Sequence, residues 1–354
     1  MNLRVLRQRL ISLFREQAAN IYSFIQKEKI DRILLVLLLL VTTSAIAIST
    51  VEPDLPLSDA VWWSVVTLTT VGYGDISPVT YQGRVIAAIN MFVGIGILST
   101  FSATIASILV DKKIMEQLGK SSYKFSDHLI VCEWNYQAQT ILKELRFSPK
   151  TKNLPIILVA NIERKPIDDE HLYFIQGDVS DVTLKRANIE KAKTVIILGD
   201  TELSPTNRDA KAILSTLTVE SINPDVYTIV ELVNEAYAST CTRANADEVI
   251  VSSELSSKLI SQAALHHGIT KVVSNLLSSQ TGNQLYKVPM LQSHIGSSFL
   301  DVFIHLKQQH KSILVAVQQD NGEVIENPPN DYQLTETDFL IVIADKPPKF
   351  AMTN

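Results

Sequence analysis

The sequence is poor in the features that mark extracellular or nucleic-acid-binding proteins. Its 354 residues include two cysteines, Cys132 and Cys241, which lack CxxC spacing. This scarcity indicates a reducing compartment without a disulfide framework, in which both thiols are buried and structural. The formal net charge is −5. The chain therefore lacks the excess of basic residues that would indicate binding to DNA or RNA, and we predict no nucleic-acid partner.

Charge is also missing from two long apolar runs. Residues 33–51 and 85–110 contain no Asp, Glu, Lys or Arg. At 1.5 Å per residue the shorter run extends about 28 Å, which is enough to cross a bilayer. Residues 51–83, between the runs, contain acids but neither Lys nor Arg. By the positive-inside rule this predicts a multi-pass protein of the cell (inner) membrane with both termini in the cytoplasm.

The N-terminal residues 1–32 contain seven basic and three acidic side chains, with leucines at helical spacing. We expect a cytoplasmic amphipathic segment at the membrane surface, and a solvated basic arm is the alternative. No small-residue cleavage site follows an apolar core here, which argues against a signal peptide.

The segment between the apolar runs combines a short apolar stretch with a glycine-containing loop. Residues 57–69 are too short to cross a membrane and too apolar for a soluble loop, which predicts a half-helix buried at membrane depth. The loop that follows reads TVGYG, the sequence whose backbone carbonyls select K⁺ in potassium channels. Its predicted filter residues are Thr70, Val71, Gly72, Tyr73 and Gly74.

Residues 60–75 resemble the pore helix and filter of tetrameric two-span potassium channels. The resemblance implies a homotetramer in the lipid bilayer, with K⁺ held in the filter. Val66 stands where many members have a glutamate that pairs with the aspartate matching Asp75, so inactivation that depends on that pair is not implied. Gly94 matches the family's gating hinge and Gly96 is a second candidate, with close helix packing as the alternative explanation.

Two further absences concern the inner helix and the segment before the pore. No acidic residue lies between positions 94 and 110, whereas some relatives of high conductance carry carboxylates there, so we expect a modest conductance. No Arg-rich helix precedes the pore, and voltage sensing of that type is therefore excluded.

From about residue 127 short apolar runs alternate with amphipathic helices. This alternation predicts a parallel sheet with helices on both faces, in a Rossmann-like order. Gly177-Asp178 and residues 253–267 resemble the regulator of potassium conductance (RCK) domain. The resemblance implies a multidomain chain, with an all-α two-span potassium-channel pore module, an α/β Rossmann-like RCK domain and an α+β C-terminal lobe. The implied boundaries are 1–32, N-terminal segment; 33–111, pore module; 112–126, linker; 127–252, RCK N-lobe; 253–284, dimerisation helices; and 285–354, RCK C-lobe.

The RCK resemblance also implies partners. Such domains pair, and the pairs assemble into a cytoplasmic gating ring that controls the inner-helix gate. One domain per chain gives four in a tetramer, whereas extra soluble RCK copies that start at Met115 would give eight.

The sequence leaves the ligand of such a ring open. The dinucleotide loop G-x-G-x-x-G is absent, and an acidic, aromatic loop takes its place. An adenine nucleotide such as NAD or ADP, a divalent cation such as Ca²⁺, and a sheet kept only for assembly are the alternatives. The candidate nucleotide or cation residues are Cys132, Glu133, Trp134, Asn135, Tyr136, Asn161, Asp178, Gly199 and Asp200. The candidate metal ligands are Glu133, Asp200 and Glu231, because Ca²⁺ takes several anionic oxygens.

No catalytic constellation of His, Lys or Tyr stands out, and the seven histidines form no metal-binding pattern. A membrane-tethered oxidoreductase is disfavoured because the glycine loop is lost, and a regulatory subunit of a separate transporter would not need a filter. We therefore predict a protein that is not an enzyme. Its predicted function is a ligand-gated, K⁺-selective channel controlled by a cytoplasmic RCK gating ring.

Overall fold

The chain divides into two compact units, residues 1–115 and residues 116–354. The computed structural model describes residues 30–280, 282–346 and 348. The predicted amphipathic segment at residues 1–32 therefore lies almost entirely outside the described residues.

The first unit contains two helices and most of a third. These are α1 (Ile30–Val51), α2 (Leu57–Leu68) and α3 (Tyr81–Gln117). In α1 and α3 an apolar window with mean hydropathy of 2.5 and 2.0 is long enough to cross a membrane, and only 17% and 6% of these windows is buried. A core helix of a soluble protein would be mostly buried, so these exposed apolar faces suit contact with lipid.

Small residues bring the three helices close together. Ala45, Ala60 and Ala87, one from each helix, share a buried cluster with Ile48 and Trp63. With no hydrophobic driving force between helices inside lipid, close approach of this kind is what stabilises their packing. The short α2 is thereby held against α1, as the sequence prediction of a buried half-helix requires.

The second unit begins with a parallel sheet of six strands within the described residues. The strands are β1 (His128–Cys132), β2 (Ile156–Ala160), β3 (Leu172–Gln176), β4 (Ala192–Ile197), β5 (Tyr227–Leu232) and β6 (Glu248–Val251). They lie in the order β3-β2-β1-β4-β5-β6, and each pair is parallel. This is the doubly wound order of dinucleotide-binding folds, so the Rossmann-like prediction is confirmed.

Helices cover both faces of this sheet. They are α4 (Tyr136–Phe147), α5 (Asp181–Arg186), α6 (Pro205–Ile222) and α7 (Ala238–Arg243). One core packs α4 through Ala138 and Leu142, and the other packs the remaining three helices with both Cys132 and Cys241. The two thiols are free and buried, as predicted. All five residues of β1 are buried, which explains the apolar run that follows His128.

A helical pair leads from the sheet to a second lobe. The pair is α8 (Ser252–Leu265) and α9 (Ile269–Leu277), neither of which contains a buried residue. The lobe that follows is an antiparallel sheet in the order β7-β10-β8-β9 with one helix packed on it. Its elements are β7 (Gln284–Pro289), α10 (Phe299–His310), β8 (Ile313–Gln318), β9 (Val324–Glu326) and β10 (Phe339–Ala344).

Candidate functional site

The loop after α2 has an unusual backbone. Thr70, Gly72 and Gly74 have positive φ angles of 60°, 60° and 75°. The amide groups of Val71 and Gly72 donate back to the Val66 carbonyl, at 3.1 and 3.3 Å. Positive φ at every second residue turns successive carbonyls towards the same side, and glycine adopts it without steric cost. The predicted filter residues thus form one continuous loop of this geometry.

A side-chain contact supports this loop from behind. The indole nitrogen of Trp62 donates to the Asp75 carboxylate at 2.9 Å, and the Trp62 and Tyr73 rings stack with centroids 6.0 Å apart. Val66 is buried and offers no polar group. Asp75 therefore has an indole partner in place of the glutamate that many two-span channels carry.

The sequence reading missed Glu52, which is buried just after α1. Its carboxylate accepts from the Thr80 amide at 3.0 Å and from the Thr80 hydroxyl at 2.7 Å. A Cβ atom at Gly83 would lie 2.1 Å from the same carboxylate oxygen. Glu52 thereby fixes the start of α3 to the end of α1. The signal available was an acid that directly follows a charge-free run.

The two candidate hinge glycines differ in their surroundings. A Cβ atom at Gly94 would lie 2.3 Å from the Leu68 side chain, whereas at Gly96 no heavy atom lies within 4 Å. The helix runs unbroken through both positions. Close packing against the pore helix therefore accounts for Gly94, and this contact gives no reason for Gly96.

At the carboxyl edge of the parallel sheet, three predicted ligand residues converge on one lysine that the sequence reading missed. The Lys211 ammonium lies 2.6 Å from Glu133, 2.9 Å from Asp178 and 3.0 Å from Asp200. The carboxylates follow β1, β3 and β4, and Lys211 lies on α6. Negative charge is in excess at this cluster, since three carboxylates face one ammonium.

Burial and pairing move the pKa values within this cluster. Burial raises the pKa of Glu133, although the Lys211 ammonium opposes the rise. Burial also acts to raise the pKa of Asp200, but the hydrogen bond from Lys211 and the Glu202 amide outweigh it and lower that pKa. For Lys211 burial is likewise outweighed, because its three carboxylate partners raise the pKa. The ammonium therefore stays charged at physiological pH.

The loop that replaces the glycine motif is already fully engaged. Glu133 has a positive φ of 75°. The Asn135 side chain accepts from the Ala138 amide at 2.8 Å and donates to the Gly199 carbonyl at 2.8 Å. This cap occupies the helix N-terminus, where a pyrophosphate would otherwise bind. A conventional dinucleotide geometry is thus absent from this loop.

The other candidate residues lie apart from the lysine cluster. Cys132 is fully buried and burial raises the pKa of its thiol, while Trp134 packs against the α4 core. Tyr136 is 82% exposed, and Asn161 is exposed beyond β2. These side chains do not join Glu133, Asp178 and Asp200. Gly199 has a packing role, because a Cβ atom there would lie 2.3 Å from Arg208.

The predicted metal set of Glu133, Asp200 and Glu231 is not assembled. Glu231 instead accepts from the Gln137 amide and, at 3.4 Å, from the Gly199 amide. Among residues 30–280, 282–346 and 348, no group of three or more His, Cys, Asp or Glu side chains is placed to hold a metal ion. The correction has a simple cause, since Lys211 already takes the other two carboxylates.

Comparison with known proteins decides the family. Residues 33–111 match the ion channel family. The calcium-gated potassium channel TvoK of Thermoplasma volcanium is 31% identical over 290 residues, which cover 80% of this chain and 81% of the relative. The chain belongs to the potassium channel family. Potassium channel protein 1 of Methanocaldococcus jannaschii is 24% identical and covers 90% of this chain and 95% of its own.

The second unit of this potassium channel also matches known families. Residues 124–230 match the calcium-activated potassium channel slowpoke-like RCK domain, and residues 253–353 match a part of the voltage-gated ion channels Castor and Pollux. The human SLO3 gating ring shares the fold at 18% identity and a TM-score of 0.51, over 62% of this chain and 44% of that one. The protein is a potassium channel with an RCK domain, and its named relatives are channels rather than enzymes.

Proposed function

We propose that the channel is a homotetramer in the cell (inner) membrane, with both termini in the cytoplasm, and that Thr70–Gly74 form its K⁺ filter. The alternating positive φ angles at Thr70, Gly72 and Gly74 carry the proposal. Rings of backbone carbonyls can replace the hydration shell of K⁺ only if neighbouring carbonyls line the same path.

A flux measurement tests the filter. Proteoliposomes that hold the purified channel should take up K⁺ in large preference to Na⁺. Gly72→Asp should abolish this uptake, because it puts a Cβ atom and a charge on a residue with φ of 60°. Size-exclusion chromatography controls for assembly. A Gly72→Asp channel that assembles and still selects K⁺ would contradict the assignment.

The cytoplasmic part is proposed to form a gating ring through pairs of RCK domains. The residues 253–284 then serve as dimerisation helices between an N-lobe at 127–252 and a C-lobe at 285–354, and residues 112–126 link the ring to the pore module at 33–111. The absence of buried residues in α8 and α9 supports a covering partner, with Leu255 and Ile260 exposed. A soluble product that starts at Met115 in purified channel would support a ring of eight domains.

A divalent cation is the regulatory ligand that the charge of the sheet edge favours, although its carboxylates are placed around Lys211 and would have to rearrange to hold a metal ion. Three carboxylates already surround a cation there, the Lys211 ammonium. Carboxylate oxygens are the ligands that Ca²⁺ prefers, and the relative TvoK is named a calcium-gated channel. A divalent cation would compete with Lys211, which is partly exposed and can move aside.

An adenine nucleotide such as NAD or ADP is the second candidate. The strand order is that of dinucleotide-binding folds, and the Lys211 ammonium could pair with a phosphate. The three surrounding carboxylates oppose that binding, because they repel phosphate oxygens at the same place.

Planar-bilayer recording at fixed K⁺ separates the two ligands. With Ca²⁺ added on the cytoplasmic side, open probability should change, and Asp200→Asn should shift the response to higher Ca²⁺ by about tenfold, since one of three anionic ligands is lost. Asp181→Asn, a nearby exposed control, should leave the response unchanged. A channel that responds to ADP or NAD but ignores Ca²⁺ would favour the nucleotide instead.

A further inference from the structure

An open cavity of about 250 Å³, accessible from the surface of the membrane unit, lies between α1 and α3. Its walls are mostly hydrocarbon, contributed by Ala47 on one helix and by Ile89 and Val93 on the other. Three polar side chains, Thr43, Ser44 and Asn90, also line it, and Asn90 differs from the other two in having no hydrogen-bond partner among the described residues. The cavity has no role in the proposed filter or in the proposed gating ring.

Asn90 is only 4% exposed, and neither its amide nitrogen nor its amide oxygen has a hydrogen-bond partner among the described residues. It lies six residues after Arg84, about 9 Å along the helix at 1.5 Å per residue, which places it inside the charge-free run 85–110 and therefore within the hydrocarbon. Water is scarce there, and an unpaired amide in hydrocarbon is costly. The amide therefore lacks both a donor and an acceptor partner.

The neighbouring hydroxyl groups are occupied with other partners. Ser64 donates to the Ser44 hydroxyl at 3.1 Å, and Thr43 donates to the Leu39 carbonyl at 2.7 Å. Neither arrangement reaches Asn90. A single hydroxyl group placed in the cavity could both accept from the amide nitrogen and donate to the amide oxygen.

We propose that this cavity binds a small hydroxyl-bearing hydrocarbon dissolved in the bilayer, with its hydroxyl on Asn90 and its chain against the apolar walls. A charged lipid headgroup does not suit the site, because a charge inside the hydrocarbon is expensive. The occupant lies one helical turn from Gly94, which packs on Leu68 at the end of the pore helix. A molecule bound there would therefore contact α3, the helix that is proposed to line the pore.

Photolabelling of the full channel tests the site. The channel in phosphatidylcholine nanodiscs is irradiated with a photoreactive diazirine octanol, and labelled peptides are identified by mass spectrometry. Label should appear on the cavity walls of α1 and α3 and should be displaced by hexanol. Hexane at the same membrane concentration should displace it about tenfold less well, because it lacks the two hydrogen bonds of the hydroxyl.

Two variants and one control sharpen the test. Asn90→Leu should lower labelling about tenfold, and Ala47→Leu should lower it by filling the cavity while the amide stays. Met91→Leu, the neighbouring exposed residue, should leave labelling unchanged. Tetramer migration on size exclusion confirms that each variant has folded, and Ala47→Leu decides the matter if Asn90→Leu fails to fold.

Three results would overturn the proposal. One is equal labelling in a folded Asn90→Leu or Ala47→Leu channel. Another is displacement by hexane as strong as that by hexanol. The third is a density map, recorded with octanol present, in which a water molecule alone bridges Asn90. None of these outcomes bears on K⁺ selectivity, so the filter assignment is judged separately.

Discussion

The filter loop and the carboxyl edge of the sheet differ in how far apart along the sequence their contacting residues lie. In the filter region the supporting contacts are local, since Trp62 and Asp75 are 13 positions apart and the Gly72 amide donates to the Val66 carbonyl at the end of the preceding helix. At the sheet edge, Lys211 joins carboxylates that follow three different strands. A local arrangement can be read from a short motif, whereas the lysine cluster exists only once the sheet has formed.

The largest effect should come from the membrane unit, at Gly94 of α3. Gly94→Val places a branched side chain where even a Cβ atom would lie 2.3 Å from Leu68. Overpacking of this kind costs about 1–3 kcal/mol, so the thermal unfolding midpoint of the purified tetramer should fall clearly and K⁺ flux should drop.

Gly96→Val is the matched control, because nothing lies within 4 Å of its Cβ position. If both variants lower stability equally, close packing does not explain Gly94. If only Gly96→Val abolishes flux, and does so without loss of stability, Gly96 and not Gly94 is the gating hinge.

A smaller effect is expected from Lys211→Met at the sheet edge. The change leaves three carboxylates without their cation, and we expect a loss of about 1–2 kcal/mol in the free energy of unfolding without divalent cations. Calcium should restore stability in this variant more than in the wild type, as a ligand that binds the folded state must. Differential scanning fluorimetry with and without Ca²⁺ measures both.

Lys211→Arg is the control, since it keeps a cation near the same carboxylates. It should lose less stability than the methionine variant and gain less from Ca²⁺. A Met variant as stable as the wild type and indifferent to Ca²⁺ would show that the cluster neither supports the fold nor holds a cation.

The difference in reach also explains what the sequence could predict. The membrane spans and the parallel sheet followed from apolar patterning, which is local, and Glu133, Asp178 and Asp200 were found through the lost glycine loop and the RCK resemblance. No sequence pattern around Lys211 indicated its role, because its three carboxylate partners lie far away in the chain. The predicted Glu231 ligand failed for the same reason, since its Gln137 partner comes from a distant helix.

A still smaller effect is expected from the local contact between Trp62 and Asp75 behind the filter. Trp62→Phe keeps an aromatic ring beside Tyr73 but removes the donor to Asp75. One hydrogen bond is worth about 0.5–1.5 kcal/mol, so K⁺ current in bilayers should decline faster during sustained opening. Trp63→Phe makes the same change in the helical core. It should lower thermal stability and leave the time course of the current intact.

The smallest effect should come from a buried acid on α6. Burial raises the pKa of Glu220 above its ordinary value near 4.5, the Thr228 hydroxyl opposes the rise, and Asp247 adds to it. An acid with a raised pKa binds its proton more tightly in the folded state. Its contribution to stability is therefore present below the ordinary pKa and is lost as the pH rises through the raised one.

Glu220→Gln removes this loss of stability, because its amide oxygen can still accept from Thr228 and carries no charge. At neutral pH the free energy of unfolding of the variant should exceed that of the wild type by less than about 1 kcal/mol, and its unfolding temperature should be higher accordingly. Both differences should vanish at acidic pH. Thermal unfolding of the full channel across that range measures it. A constant difference at every pH would mean that packing, and not the charge of Glu220, sets the stability at this position. The helix α6 would then be stabilised by close packing, as the membrane helices are.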